Sequence, residues 1–228
     1  EIITEEGLNI LIDPFISNNP ACQIPVEEFN PDIILVTHGH SDHLGDAMEL
    51  SNKNNVPVAA IHEISLFLSK QGINNIGVNI GGSFIYRGVK FTMLDAKHSS
   101  VLDIVEEPLP AGDAASFLIT LEDGTKLFHA GDTGLFGDMK TIIGEIYKPD
   151  IALLPIGDKF TMGPFEAALA TRWIDSKVAI PMHYNTFPPI EQDPSIYANF
   201  VSQLNPNIDV VILNPGEYFE YNPENYQD

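Results

Sequence analysis

The chain lacks what several protein classes require. Cys22 is the single cysteine in 228 residues, which excludes an internal disulfide framework and any thiolate-rich zinc cluster, and suits a reducing compartment. Positive charge is scarce. Arg87 and Arg172 are the only arginines, and the 11 basic residues face 32 acidic ones for a formal net charge of −21. Such a field repels phosphate backbones and anionic bilayers, so neither nucleic acid nor membrane is an expected partner. No apolar run approaches the roughly 20 residues that span a bilayer, and the opening Glu1 to Ile10 has no signal-peptide pattern. A cytoplasmic protein is expected, and a homo-oligomer is left open.

What remains is a balanced globular composition, 44% hydrophobic and 19% charged, consistent with one domain over residues 1–228. Short apolar or β-branched runs predict strands at Leu8 to Ile12, Ile33 to Thr37, Val58 to Ile61, Phe84 to Tyr86 and Val89 to Leu94. Further strands are expected at Phe117 to Leu121, Lys126 to His129, Ile151 to Pro155, Val178 to Met182 and Val210 to Leu213. Helical patterns cover Leu44 to Ser51, Glu63 to Gln71, Met139 to Tyr147, Pro164 to Ile174 and Ser195 to Leu204. The stretch Val101 to Gly112 is the best candidate for an exposed loop near a site.

Two patterns recur. Pro31-Asp32-Ile33-Ile34-Leu35-Val36 is echoed by Pro149-Asp150-Ile151-Ala152-Leu153-Leu154, and both Ile12-Asp13 and His129 to Asp132 run a strand into an aspartate. Two related halves packed face to face would give a four-layer αββα sandwich. The plainer explanation is that buried strands resemble one another.

The chemistry concentrates in Thr37-His38-Gly39-His40-Ser41-Asp42-His43, directly after a buried strand. In extended backbone alternate side chains share a face, so His38 and His40 can converge on one ion. Asp42 and His43 can swing toward a second ion if the chain turns into a helix near Leu44. Imidazole and carboxylate without thiolate suit zinc first, with manganese, iron or nickel as alternatives. Of the seven histidines, His98 and His183 also follow predicted strands. Asp132, in Gly131-Asp132-Thr133-Gly134, has the small neighbours that a carboxylate bridging two ions would need.

In order and spacing, HGHSDH, His98, the Gly-Asp-Thr aspartate and His183 resemble the metallo-β-lactamase superfamily. The stretches Leu154 to Pro164 and Ile180 to Pro188 are similar to metal-dependent hydrolases related to ascorbate-6-phosphate lactonase. The resemblance implies an α/β fold of the αββα type with two divalent ions. His38, His40 and His98 would hold the first ion, Asp42, His43 and His183 the second, and Asp132 would bridge them. It also implies a first strand carrying a Gly-His pair ahead of the residues seen here. The expected activity is hydrolysis of a small ester, lactone or phosphoester by a metal-held hydroxide that Asp42 and Asp132 orient. A nuclease or phosphodiesterase on the same fold and a non-catalytic metal-binding protein are the alternatives. An iron redox enzyme of this fold is disfavoured by His40, where a glutamate is usual.

Asp13 is expected to accept a ring N–H from a ligand histidine, fixing its tautomer. Thr161, Tyr184 and Asn185 are candidate substrate contacts. His129 reads as a satisfied core histidine, His62 as a surface residue, Cys22 as a bystander, and Glu166 as compensation for a helix dipole.

Overall fold

The computed structural model describes residues 1–226. Its first half contains β1 (Ile2–Ile3), β2 (Asn9–Ile12), β3 (Ile33–Leu35), the single turn α1 (Ser41–Leu44), α2 (Ala47–Asn54), β4 (Val58–Ile61), α3 (His62–Lys70) and β5 (Asn75–Val78). These strands form one sheet in the order β1-β2-β3-β4-β5, parallel from β2 onward. Next come β6 (Ser83–Tyr86), β7 (Val89–Asp95), a two-residue hairpin of β8 (Val101–Leu102) and β9 (Leu109–Pro110), β10 (Ala115–Thr120) and β11 (Lys126–His129). A π-helical segment, Met139–Tyr147, leads to β12 (Ile151–Pro155), α4 (Pro164–Ile174), β13 (Val178–Met182), α5 (Pro194–Leu204) and β14 (Asp209–Val210). The second sheet runs β14-β13-β12-β11-β10-β7-β6.

Side-chain alternation makes the layers. Phe117 and Ile119 join the core that also contains Ile10, Leu35 and Val58 of the first sheet, whereas Leu118 between them joins Ala167 and Ile174 of α4. Leu127 and Phe128, then Ile151 and Ala152, divide the same way. The sheets therefore face one another, α3 packs on β4 and β5, and α4 packs on β12. This is the expected αββα sandwich.

The sequence echo has a structural counterpart. The Asp32 amide donates to the Asn9 carbonyl at 2.8 Å while Asp32 Oδ2 accepts from the Asn9 amide at 3.0 Å. Asp150 and Lys126 repeat the same pair of bonds at 2.8 and 2.9 Å. Each aspartate thus fixes the register of a parallel strand pair at the end opposite the histidine motif.

Several expectations are corrected. The helix foreseen over Leu44 to Ser51 breaks at Gly45, where φ is +41° and an added Cβ would lie 2.3 Å from the Pro14 carbonyl oxygen. Only Asp209–Val210 pairs where a strand was expected over Val210 to Leu213. Strand β5 escaped notice because Asn75 and Gly77 have poor strand propensity. Gly77 is needed there, since a Cβ would meet Ser65 Oγ of α3 at 2.5 Å.

Candidate metal centre

Strand β3 ends at Leu35, and the chain then bends so that His40 closes the turn α1, its carbonyl accepting from the amides of His43 and Leu44. That turn opens three residues before the expected helix start and carries Asp42 and His43 toward the ring of His38. Gly39 sits where an added Cβ would lie 2.6 Å from Ala111 Cβ and 2.9 Å from the Val101 carbonyl oxygen. The motif is thus pressed against the segment that the sequence marked as a loop near a site, and the Gly39 amide donates to Ser100 Oγ at 3.2 Å.

All seven residues expected as ligands come together. Three sets have ligand atoms within 4.8 Å of one another: His38, His40 and His98; His38, His43 and Asp132; and Asp42, His43 and His183. His38 Nε2 faces His40 Nδ1 at 2.9 Å, and His43 Nε2 faces His183 Nε2 at 3.3 Å. Asp132 Oδ2 lies 3.4 Å from the Nε2 atoms of both His43 and His183 and 3.7 Å from that of His98, so one oxygen faces ligands of both expected ions. Asp132 Oδ1 is buried without a hydrogen-bond partner. Clustered ring nitrogens beside an orphaned carboxylate oxygen are what cations between them would satisfy.

Backbone geometry holds this arrangement. Gly131, at φ +59°, packs where a Cβ would meet the Ala115 carbonyl oxygen and Thr37 Cβ, each at 2.9 Å. Thr133 Oγ1 accepts from the Lys97 amide at 2.9 Å and the Gly134 amide donates to the Lys97 carbonyl at 3.0 Å, tying the Asp132 loop to His98. His183 is itself in the left-handed region at φ +54°, a conformation often maintained at functional sites.

Behind the cluster Asp13 accepts three hydrogen bonds. Its Oδ2 accepts from His43 Nδ1 at 2.8 Å and from the Thr37 hydroxyl at 2.7 Å, while Oδ1 accepts from the Thr37 amide at 2.8 Å. Because the Thr37 hydroxyl gives its one proton to Asp13, it must accept from His38 Nδ1, 3.1 Å away. One carboxylate therefore orients both rings, His43 directly and His38 through Thr37, and turns the Nε2 edge of each toward the cluster. Thr37 was not singled out from the sequence, and its position between a strand and a histidine motif was the available signal.

The electrostatics agree. Burial works against a charge on His43, but Asp132 and Asp13 raise its pKa well above the ordinary value. Burial and the neighbouring His43 charge take His38 down to about 3. Burial also pushes Asp132 up, yet His43, His183 and His38 hold it well below the usual carboxylate range. Asp42 reaches about 2, burial being outweighed by the His183 hydrogen bond and the His43 charge.

A cleft of about 190 Å³ opens beside the cluster, with Asp42, Asp132 and His183 along it and Phe15, Thr186 and Phe187 opposite in composition. Tyr184 and Asn185 are not among its lining residues. Tyr184 packs against the apolar layer beneath α4, and Asn185 Oδ1 accepts from the Gln192 amide at 2.8 Å. Thr161 also lies outside the lining, its hydroxyl donating to the Met162 carbonyl at 3.3 Å. His183 and Asn185 are both in the left-handed region, at φ +54° and +62°. His129, expected as a satisfied histidine, accepts at Nδ1 from the Gly131 amide at 3.2 Å, and it also lines the cleft.

The family model of the β-lactamase superfamily domain matches residues 8–184, from β2 through the His183 turn. The chain belongs to the metallo-β-lactamase superfamily. A UPF0173 metal-dependent hydrolase from Methanosphaera stadtmanae is 56% identical over 95% of this chain and 93% of its own length. Another, from Methanopyrus kandleri, is 49% identical over 94% and 93%. Igni18, a metallo hydrolase of the archaeon Ignicoccus hospitalis, superposes with a TM-score of 0.85 at 38% identity, covering 96% of this chain and 94% of its own. This chain is a metal-dependent hydrolase of that superfamily fold. Among the described residues no helix is long and apolar enough to cross a membrane.

Proposed function

We infer that the protein holds two divalent ions and hydrolyses a small ester, lactone or phosphoester. His38, His40 and His98 would hold one ion, Asp42, His43 and His183 the other, and the Asp132 carboxylate would lie between them. The single observation that carries this reading is Asp132 Oδ2 facing His98 on one side and His43 and His183 on the other. Zinc suits the donor set first, and manganese, iron and nickel are alternatives. When bound, such ions supply a water acidic enough to attack at neutral pH and polarise the substrate oxygen.

The chain's own groups do the rest. Asp42 has a side chain 29% exposed, open to the cleft. Its carboxylate would orient the attacking water, and that of Asp132 would assist. Asp13 and Thr37 hold His43 and His38 so that no ring must reorient during reaction. Access through Asp42 favours a catalytic over a purely structural ion site. A nuclease or phosphodiesterase acting on long strands would want a basic groove, and no lysine or arginine is among the described residues lining the cleft.

Metal analysis of the purified protein, followed by a screen of small esters, lactones and phosphodiesters with each ion restored, tests the reading. Turnover that a chelator removes and that Asp132→Asn abolishes is expected. Absence of turnover in every class with every ion would overturn it.

A further inference from the structure

Four apolar side chains are among those that line the cleft. Phe15 follows the Asp13 turn and Phe187 follows the His183 turn, their rings 6.0 Å apart and tilted by 43°. Ile12 and Met182 also line the cleft. Both aromatics are half-buried and held by backbone bonds: the Phe15 amide donates to the Asp13 carbonyl at 2.8 Å, and the Phe187 carbonyl accepts from the Ile190 amide at 3.0 Å. Asp46 Oδ2 fixes the segment after Phe15 by accepting from the amides of Ile16 and Ser17 at 2.8 and 2.9 Å. The wall is thus formed in advance of any ligand, which lowers the ordering cost of binding to it.

Its polar neighbours are neutral. Asn19 is committed to its own loop, donating to the Phe15 carbonyl and accepting from the Ala21 amide. His129 accepts at Nδ1 from Gly131, so the neutral ring carries its proton on Nε2 and can only donate from there. Burial keeps that ring uncharged, with its pKa down at about 4. Thr186 adds a hydroxyl. The charged groups along the cleft besides the histidines are the carboxylates of Asp13, Asp42 and Asp132, and the same loop that carries Phe187 places Glu191 and Asp193 around a second hollow. Two dications would be largely offset by the three carboxylates, leaving little positive charge for a second anionic group on the substrate. At about 190 Å³ the cleft suits a small molecule.

We propose that this cleft selects a small uncharged ester or lactone whose acyl chain lies on the Phe15–Phe187 wall, and discriminates against the same acyl chain bearing an anionic end. This rests on the hydrolytic reading above and narrows its substrate class, removing phosphorylated lactones. The reaction is simple hydrolysis. Water adds to the acyl carbon, the acyl C–O bond breaks, and the leaving oxygen takes one of the water protons to depart as the alcohol. A lactone yields a single hydroxy acid, and no oxidant or other co-reactant is consumed.

The test uses metal-loaded full-length chain and three p-nitrophenyl esters: acetate, butanoate, and hemisuccinate, which matches butanoate in chain length but ends in a carboxylate. The butanoate should exceed the hemisuccinate in kcat/KM by at least about tenfold. Phe187→Ala should lower kcat/KM for butanoate by about tenfold, chiefly through KM, and leave acetate within about twofold. Hemisuccinate turned over as well as butanoate, or equal losses for acetate and butanoate in Phe187→Ala, would overturn this proposal while leaving the hydrolase reading intact. No turnover of any of the three esters, nor of any substrate in the wider screen, would overturn both.

Discussion

His43 and Asp13 are joined at 2.8 Å, Nδ1 to Oδ2, although 30 residues separate them in the chain. The strand end that carries Asp13 is stitched to β3 by its own amide, which donates to the Leu35 carbonyl at 2.9 Å. Asp13→Asn keeps the shape and removes the charge that fixes His43 and, through Thr37, His38. Metal affinity is expected to fall by about 10- to 100-fold. Competition with a chromophoric chelator measures it, and unchanged affinity would show that the two rings need no such support.

The proton on His43 gives metal binding a defined pH dependence. Although burial opposes charge there, Asp132 and Asp13 raise its folded pKa well above the ordinary value, which favours the doubly protonated ring in metal-free protein. Nδ1–H remains on Asp13, and an ion can take Nε2 only after that atom loses its proton. Affinity should therefore rise with pH through the neutral range, with about one proton released from this ring. His38, held at about 3 by burial and the His43 charge, is already neutral and contributes none. Calorimetry in two buffers of different ionisation enthalpy counts the protons, and an affinity that falls with rising pH would contradict the assignment.

Gly157 controls His183 through the backbone. An added Cβ would stand 2.6 Å from the His183 carbonyl oxygen, a backbone atom directly after β13, and 3.1 Å from Ile190 Cβ. Gly157→Ala should cost about 1–3 kcal/mol in stability and loosen the ion expected on Asp42, His43 and His183 before the other. Gly137→Ala is the control, since nothing lies within 4 Å of its added Cβ. Thermal melts and metal content of the two variants, side by side, decide the point.

Much of this was readable in the residues. The strands Val58–Ile61, Lys126–His129, Ile151–Pro155 and Val178–Met182 and the helix Pro164–Ile174 were bounded correctly because apolar patterns end against polar or turn-forming neighbours there. The ligand-type residues were legible because strand-end histidines and aspartates have little structural reason to cluster. Phe15 was not. An aromatic in a loop has no sequence signature for facing a cleft, and its ring meets that of Phe187 only because the turns after Asp13 and His183 bring them together. Tyr184 and Asn185 misled for the same reason, since adjacency to His183 does not survive a left-handed turn.

Asp132 and His129 sit three residues apart and should separate cleanly by metal content. Asp132→Asn removes the negative oxygen facing both ligand sets and should leave the protein holding fewer ions. His129→Asn alters a cleft wall and should keep the ions while changing turnover. Elemental analysis after dialysis is the readout, and equal retention in both variants would show that Asp132 does not bridge.

The central claim, an ion pair shared by Asp132, is tested most directly by titrating metal-stripped protein with zinc and with manganese under calorimetric detection. The account predicts saturation at about two equivalents, with the second lost in Asp132→Asn. Saturation at one equivalent in the wild-type chain, or binding indifferent to Asp132→Asn, would contradict it.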